Sequence, residues 1–266
     1  MEAGTSSWPP ECNKDVLPRR FASWRETING KGEFSKGAFD LTFKELAWGA
    51  FVFKFMAGST DISYYQPLAS DKDFLMRLRT NPVLEDFEEL RNFLVHYGVH
   101  YAPKDLPRQY VSVWSSLQPH IQRLSTERLE TCEFNNAQIQ NEILAAFNCL
   151  FFRTWGGDTV VSKVLHFFNI SLFVMVDSDI TMHFSKYGSR GYLEFLQDMQ
   201  REAVEVLNDF QQLGLSGRLE EFLSHELNYS SIRPLTKLID DYNWVTITRG
   251  WPKIPPDWLL DLFVWK

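Results

Sequence analysis

The sequence predicts an all-α fold, and three observations carry that reading. Apolar residues recur at helical spacing in segment after segment, and most of these segments end at a glycine or before a proline. Strand patterning is weak: Leu172–Val176 and Val245–Thr248 are apolar or β-branched, but each stands alone with no partner run. The composition is that of a packed protein, with 266 residues, 44% hydrophobic, 15% aromatic and 23% charged. That length fits one large domain or two small ones.

The elements follow in order. Residues 1–36 read as a loosely ordered arm, because Pro9, Pro10 and Pro18 break helices and Gly30 and Gly32 mark turns. Asp40 to Met56 reads as a helix capped by Asp40 or Thr42 and stopped by Gly58. A short helix from Asp71 ends before Pro82, and Val83 to Tyr97 is amphipathic, with Phe87, Leu90, Phe93 and Leu94 on one stripe. Arg108 to Leu129 has helical spacing with an expected interruption near Pro119. Asn135 to Arg153, Ser189 to Gln212, Leu219–Leu227 and Ser231–Tyr242 complete the helices before the C-terminal segment. There Trp244, Trp251, Trp258 and Trp265 recur every seven residues, but Pro252, Pro255 and Pro256 exclude a coiled coil, so the tryptophans read as packing residues. The expected bundle has two helical lobes, one from 37–124 plus 243–266 and the other from 125–242.

Charge and cysteines narrow the function classes. A net charge of −7 counts against a protein held by nucleic-acid phosphates, which needs basic patches. Cys12, Cys132 and Cys149 are odd in number and widely spaced, so neither a disulfide framework nor a cysteine metal site follows. The pattern of the other residues implies no metal and no cofactor. With no signal-peptide pattern and no apolar run of about 18 residues, the expectation is a soluble, cytoplasmic protein without a membrane partner.

The stretch that rises above this background is Trp155 to Tyr187, WGGDTVVSKVLHFFNISLFVMVDSDITMHFSKY. It reads as a Gly156-Gly157 turn, a helix from Thr159, an apolar approach over Phe173–Val176, and an aspartate, Asp177, opening a second helix. A carboxylate at a helix N-terminus lies near unpaired amides and stays ionised. Such a group can stabilise an oxocarbenium-like transition state or orient a water in the cleavage of a glycosidic bond.

This run resembles the helix–hairpin–helix superfamily of DNA base glycosylases over Glu142 to Tyr187. The resemblance lies in the glycine hairpin, the helix after it, and the apolar approach ending in Val176-Asp177. It implies a helix–hairpin–helix element, a pocket between two lobes, and Asp177 as the catalytic carboxylate. The departures are specific. The family's Pro-Gly-x-Gly hairpin reads Thr154-Trp155-Gly156-Gly157 here, and its lyase lysine is replaced by Asp158 or Thr159. Duplex DNA is therefore disfavoured, and a nucleobase- or nucleoside-containing small molecule is the expected substrate of an N-glycosidase-like hydrolase.

The supporting residues carry two readings each. Thr159, Lys163 and His166 fall near one helix face, where Lys163 or His166 can serve Asp177 as substrate or acid–base partner, or simply be a solvated lysine and a satisfied core histidine. Trp155 can stack on a base or pack. Asp179 reads as a first-turn acidic residue that can substitute if the cap register shifts. Asp177 itself is either a catalytic carboxylate or an N-cap. The alternative to the enzyme is a non-catalytic helical protein that binds a protein or small molecule through the same cleft or an aromatic patch. A ring-lined pocket reaching Asp177 favours the first, and a carboxylate spent on capping favours the second.

Overall fold

Residues 41–99, 102–151 and 157–251 are described by a computed structural model of the chain. Every regular element among them is helical, as the sequence predicts. The arm at 1–36, Trp155, Gly156 and the C-terminal Trp258 and Trp265 lie outside the described residues.

Helix α1 (Phe43–Thr60) starts where its sequence offers a capping box. The Thr42 hydroxyl accepts from the Glu45 amide at 3.2 Å while the Glu45 carboxylate accepts from the Thr42 amide at 2.9 Å. The expected stop at Gly58 does not occur. The chain continues through a π turn (Asp61–Tyr65) into α2 (Gln66–Ser70). Asp61 and Tyr65 are both buried and both hydrogen-bonded in the interior, and continuing the helix brings them there. The helix penalty of a glycine, about 1 kcal/mol, is small against that.

Asp71 caps α3 (Lys72–Thr80), accepting from the Asp73 and Phe74 amides at 3.0 and 2.9 Å. Helix α4 (Leu84–His96) ends at Gly98, whose φ of 93° suits a residue without a side chain. Helix α5 (Leu106–Arg123) runs straight through Pro119. Pro119 and Ser115 are exposed, so the carbonyl freed by the missing N–H faces water, and the break expected from the sequence is avoided.

Helix α6 (Ala137–Leu150) begins at an Asn136 cap, 2.8 Å from the Gln138 amide. Then come α7 (Gly157–Phe168), α8 (Ser178–Phe184), α9 (Gly188–Gln212), α10 (Leu219–Glu226) and α11 (Leu235–Asn243). Pro234 precedes α11 in extended conformation, so this helix starts later than its sequence suggests. The Val245–Thr248 run is not a strand: it belongs to a second π turn (Trp244–Thr248) that prolongs α11.

One contiguous apolar core runs through these elements. Helix α5 packs between α4 and α6, and α11 packs on α1. At the α1–α11 crossing a Cβ on Gly49 would sit 2.7 Å from the Tyr242 Cα, so only glycine allows this approach. Helix α7 is central: every residue from Val160 to Phe168 is buried. No described helix is long and apolar enough to cross a membrane.

Candidate functional site

Asp177 is delivered by an apolar approach, Leu172–Val176, that is entirely buried. Side chains, with His166 described below among them, hold this backbone where no strand partner exists among the described residues. Ser162 accepts from the Val176 amide at 3.0 Å, and the Tyr192 hydroxyl donates to the Val174 carbonyl at 2.8 Å. Asp177 is then the N-cap of α8. One carboxylate oxygen accepts from the Ile180 amide at 2.8 Å, and the other accepts from the Thr248 hydroxyl at 2.6 Å. Thr181 adds a bond to the Asp177 carbonyl at 2.8 Å. The cap thus straps α8 to the second π turn.

Lys163 and His166 point from α7 into a wall of rings. The Lys163 ammonium donates to the Tyr97 carbonyl at 2.6 Å and lies 5.6 Å from the Tyr97 ring centroid. Burial pulls its pKa down to about 8, against the opposing pull of the Asp240 and Asp177 charges. His166 is fully buried, with Nδ1 at 2.7 Å from the Phe173 carbonyl and Nε2 at 2.9 Å from the Tyr65 hydroxyl. A carbonyl only accepts, so Nδ1 carries the proton and Nε2 accepts from Tyr65. Burial pulls the imidazole down to about 3, so it is neutral at pH 7.

Beside these rings lies a group of charges that the sequence does not announce. Arg233 is buried and clamps two carboxylates: Asp61 at 2.8 and 2.9 Å, and Asp241 at 2.5 and 3.0 Å. Lys237 bonds Asp240 at 2.5 Å and also Asp241. Asp61 further accepts from Gln66 at 2.8 Å and from the Tyr97 hydroxyl at 3.0 Å. The Arg233 guanidinium lies 4.8 to 5.3 Å from the Phe53, Tyr65 and Tyr229 ring centroids. Burial pushes the Asp61 carboxyl up, but Arg233 and Lys237 outweigh it and hold it below its usual value. Burial raises Asp240, with Lys237 opposing. Only part of this was visible: Lys237 lies three and four residues before Asp240 and Asp241, a helical ion-pair spacing. Asp61 and Arg233 are 172 residues apart, and nothing local pairs them.

The remaining predicted residues scatter. Gly157 opens α7 with a φ of 43° and is exposed. Asp158 accepts from the Gly188 amide at 2.9 Å and so fixes the start of α9. Thr159 is half-buried, its carbonyl accepting from Ser162 at 3.1 Å. Asp179 is exposed in the first turn of α8. The structure therefore brings Lys163 and His166 to one ring wall and places Asp177 at the α8 cap, within reach of the Lys163 charge but bonded to neither residue. Two broad clefts lie on the surface. One, of about 770 Å³, is lined by Glu133, Asn136, Lys186, Gln197, Asp198 and Arg201, among others. The other, of about 470 Å³, lies between α3 and the end of α5. Asp177 lines neither.

No family model, curated protein or solved structure matches this chain.

Proposed function

We infer that this chain is a non-catalytic helical binding protein, with Asp177 serving as a structural strap. The observation that carries the reading is the state of the Asp177 carboxylate. A carboxylate that stabilises a sugar cation or orients a water needs a lone pair facing the substrate. Here one oxygen caps α8 and the other accepts from Thr248, and neither broad cleft reaches it. The partner is a small molecule or a protein. The net charge of −7 argues against duplex DNA.

An N-glycosidase remains the second reading, and one observation favours it. The Lys163 ammonium is depressed to about 8 and feels the charge of Asp177, and a buried group shifted in this way beside an opposite charge is of the kind found at reaction centres. In that reading α6, residues 151–156 and α7 form the helix–hairpin–helix element. The substrate then enters between a lobe of 37–124 with 243–266 and a lobe of 125–242.

A paired measurement separates the two. Base release from nucleosides and nucleotides is followed by chromatography for wild type and Asp177→Asn, and thermal unfolding is measured for Asp177→Asn, Thr248→Val and the double variant. The expected outcome is no base release by wild type. Each single variant loses about 1 kcal/mol of stability, and the double loses less than the sum, because both remove the same strap. Base released by wild type and not by Asp177→Asn overturns the binding reading in favour of the glycosidase.

A further inference from the structure

Most arginines among the described residues meet a carboxylate. Arg233 clamps Asp61 and Asp241, Arg77 meets Asp86 at 3.0 Å, and Arg128 meets Glu130 and Glu220. Arg79 differs. It sits in the last turn of α3, its Nε is buried, and that nitrogen makes no hydrogen bond. Burial lowers its pKa with no carboxylate charge to offset the loss of water.

Arg79 lines the groove of about 470 Å³, a size typical of small-molecule sites. Lys72, Leu75, Met76 and Arg79 come from one stripe of α3, spaced by three, one and three residues, so both cations face the same opening. Lys72 makes no ion pair with any described residue. Across the groove stand Gln122 at the end of α5 and Ile170–Ser171 in the turn after α7. Ile170 and Met76 give it apolar surface, and Met76 is 58% exposed. Gln122 and Ser171 offer an amide and a hydroxyl as further donors.

We propose that this groove binds a small phosphomonoester, its phosphate held between Arg79 and Lys72 and its organic part lying on Met76 and Ile170. A guanidinium bonds a phosphate through two parallel N–H groups, and at Arg79 no carboxylate among the described residues competes for them. The backbone positions of the two cations are about 10 Å apart along the helix, from about 1.5 Å per residue, and both side chains are long enough to converge on one dianion. In a chain of net charge −7 this is a local cationic exception. The inference rests on the binding reading above, since it names the ligand class of the non-catalytic protein.

The test is calorimetric titration of the full chain with adenosine monophosphate, inorganic phosphate and adenosine at one pH and ionic strength. Adenosine monophosphate is expected to bind saturably, at least tenfold more tightly than inorganic phosphate, and adenosine not measurably. Arg79→Gln should weaken adenosine monophosphate at least tenfold. Met76→Glu changes an exposed residue, so it should keep the melting temperature while its carboxylate removes binding. Absence of saturable binding by wild type, equal affinity for adenosine monophosphate and inorganic phosphate, or full affinity in both variants overturns the proposal. The outcomes stay separate: base release from adenosine monophosphate by wild type and not Asp177→Asn overturns the binding reading alone, whereas failure to bind overturns the groove alone.

Discussion

Arg233 and Arg79 are two guanidiniums withdrawn from water, and their surroundings are opposite. Arg233 is sealed under Phe53, Tyr65 and Tyr229, with Asp61 and Asp241 taking its N–H groups. Arg79 sits at a groove with a buried Nε and no acceptor for it. Desolvation penalises both, but only Arg233 recovers the loss within the chain. A cation whose partners are built in holds the fold together. A cation without them is a place where a ligand can supply what the chain does not.

The largest expected effect lies on the sealed side. Arg233→Met leaves Asp61 and Asp241 buried with a central partner missing, which costs about 3–5 kcal/mol. Denaturant unfolding of wild type and Arg233→Met measures it. A loss below about 1 kcal/mol breaks the comparison, because the sealed cluster then stabilises little more than a surface pair does. Asp61 and Asp241 should also tolerate Asn poorly, since the amide returns one donor toward a guanidinium that only donates.

The next effect comes from His166, in the same interior. Its folded pKa of about 3 lies below the ordinary imidazole value of 6.5. Between those values the unfolded chain binds a proton that the folded chain refuses, so stability falls as pH drops through 6.5 and levels off near 3. Between pH 6.5 and 4.5 the loss from this group is roughly 2.3 kcal/mol. Asp240, whose carboxyl is raised by burial, acts with the opposite sign: its folded form keeps a proton that the unfolded form gives up. Wild type alone therefore shows a muted slope. His166→Gln isolates the histidine, because its amide can still donate to Phe173 and accept from Tyr65. The stability gap between wild type and His166→Gln should narrow by that amount from pH 6.5 to 4.5. A constant gap means the imidazole is not neutral in the fold.

These contrasts also mark what was legible in the sequence. The caps at Thr42, Asp71, Asn136 and Asp177 were readable because a capping side chain bonds an amide two or three residues away. The apolar face of α7 was readable from its period, but not its complete burial, which depends on neighbours from distant parts of the chain. Gly58 misled because a helix stop is a local preference of about 1 kcal/mol, and the interior roles of Asp61 and Tyr65 outweigh it. Val245–Thr248 looked like a strand by composition and became a π turn because it continues α11. At the site, Lys163 and His166 were found by spacing, while Arg233 fell within the helix expected over Ser231–Tyr242 with nothing local to mark it. Arg79 fell in the short helix expected from Asp71, likewise unmarked. Only the fold distinguishes the arginine with carboxylates from the one without.

The smallest expected effect is the one that sharpens the comparison most, because its sign depends on the ligand. Without ligand, Arg79→Met removes a buried unsatisfied donor, worth about 1 kcal/mol, and loses a favourable interaction with the end of α3 of about 0.5 kcal/mol. The variant should therefore be as stable as wild type or more stable by about 0.5 kcal/mol, the reverse of Arg233→Met. With a phosphomonoester at about 100 times its dissociation constant, wild type gains about 2.7 kcal/mol and the variant gains little, so the order inverts. Thermal melts of both proteins, with and without adenosine monophosphate, read this crossover directly. If Arg79→Met is destabilised by 2 kcal/mol or more without ligand, Arg79 has a partner within the fold, and the groove is another Arg233 rather than its opposite.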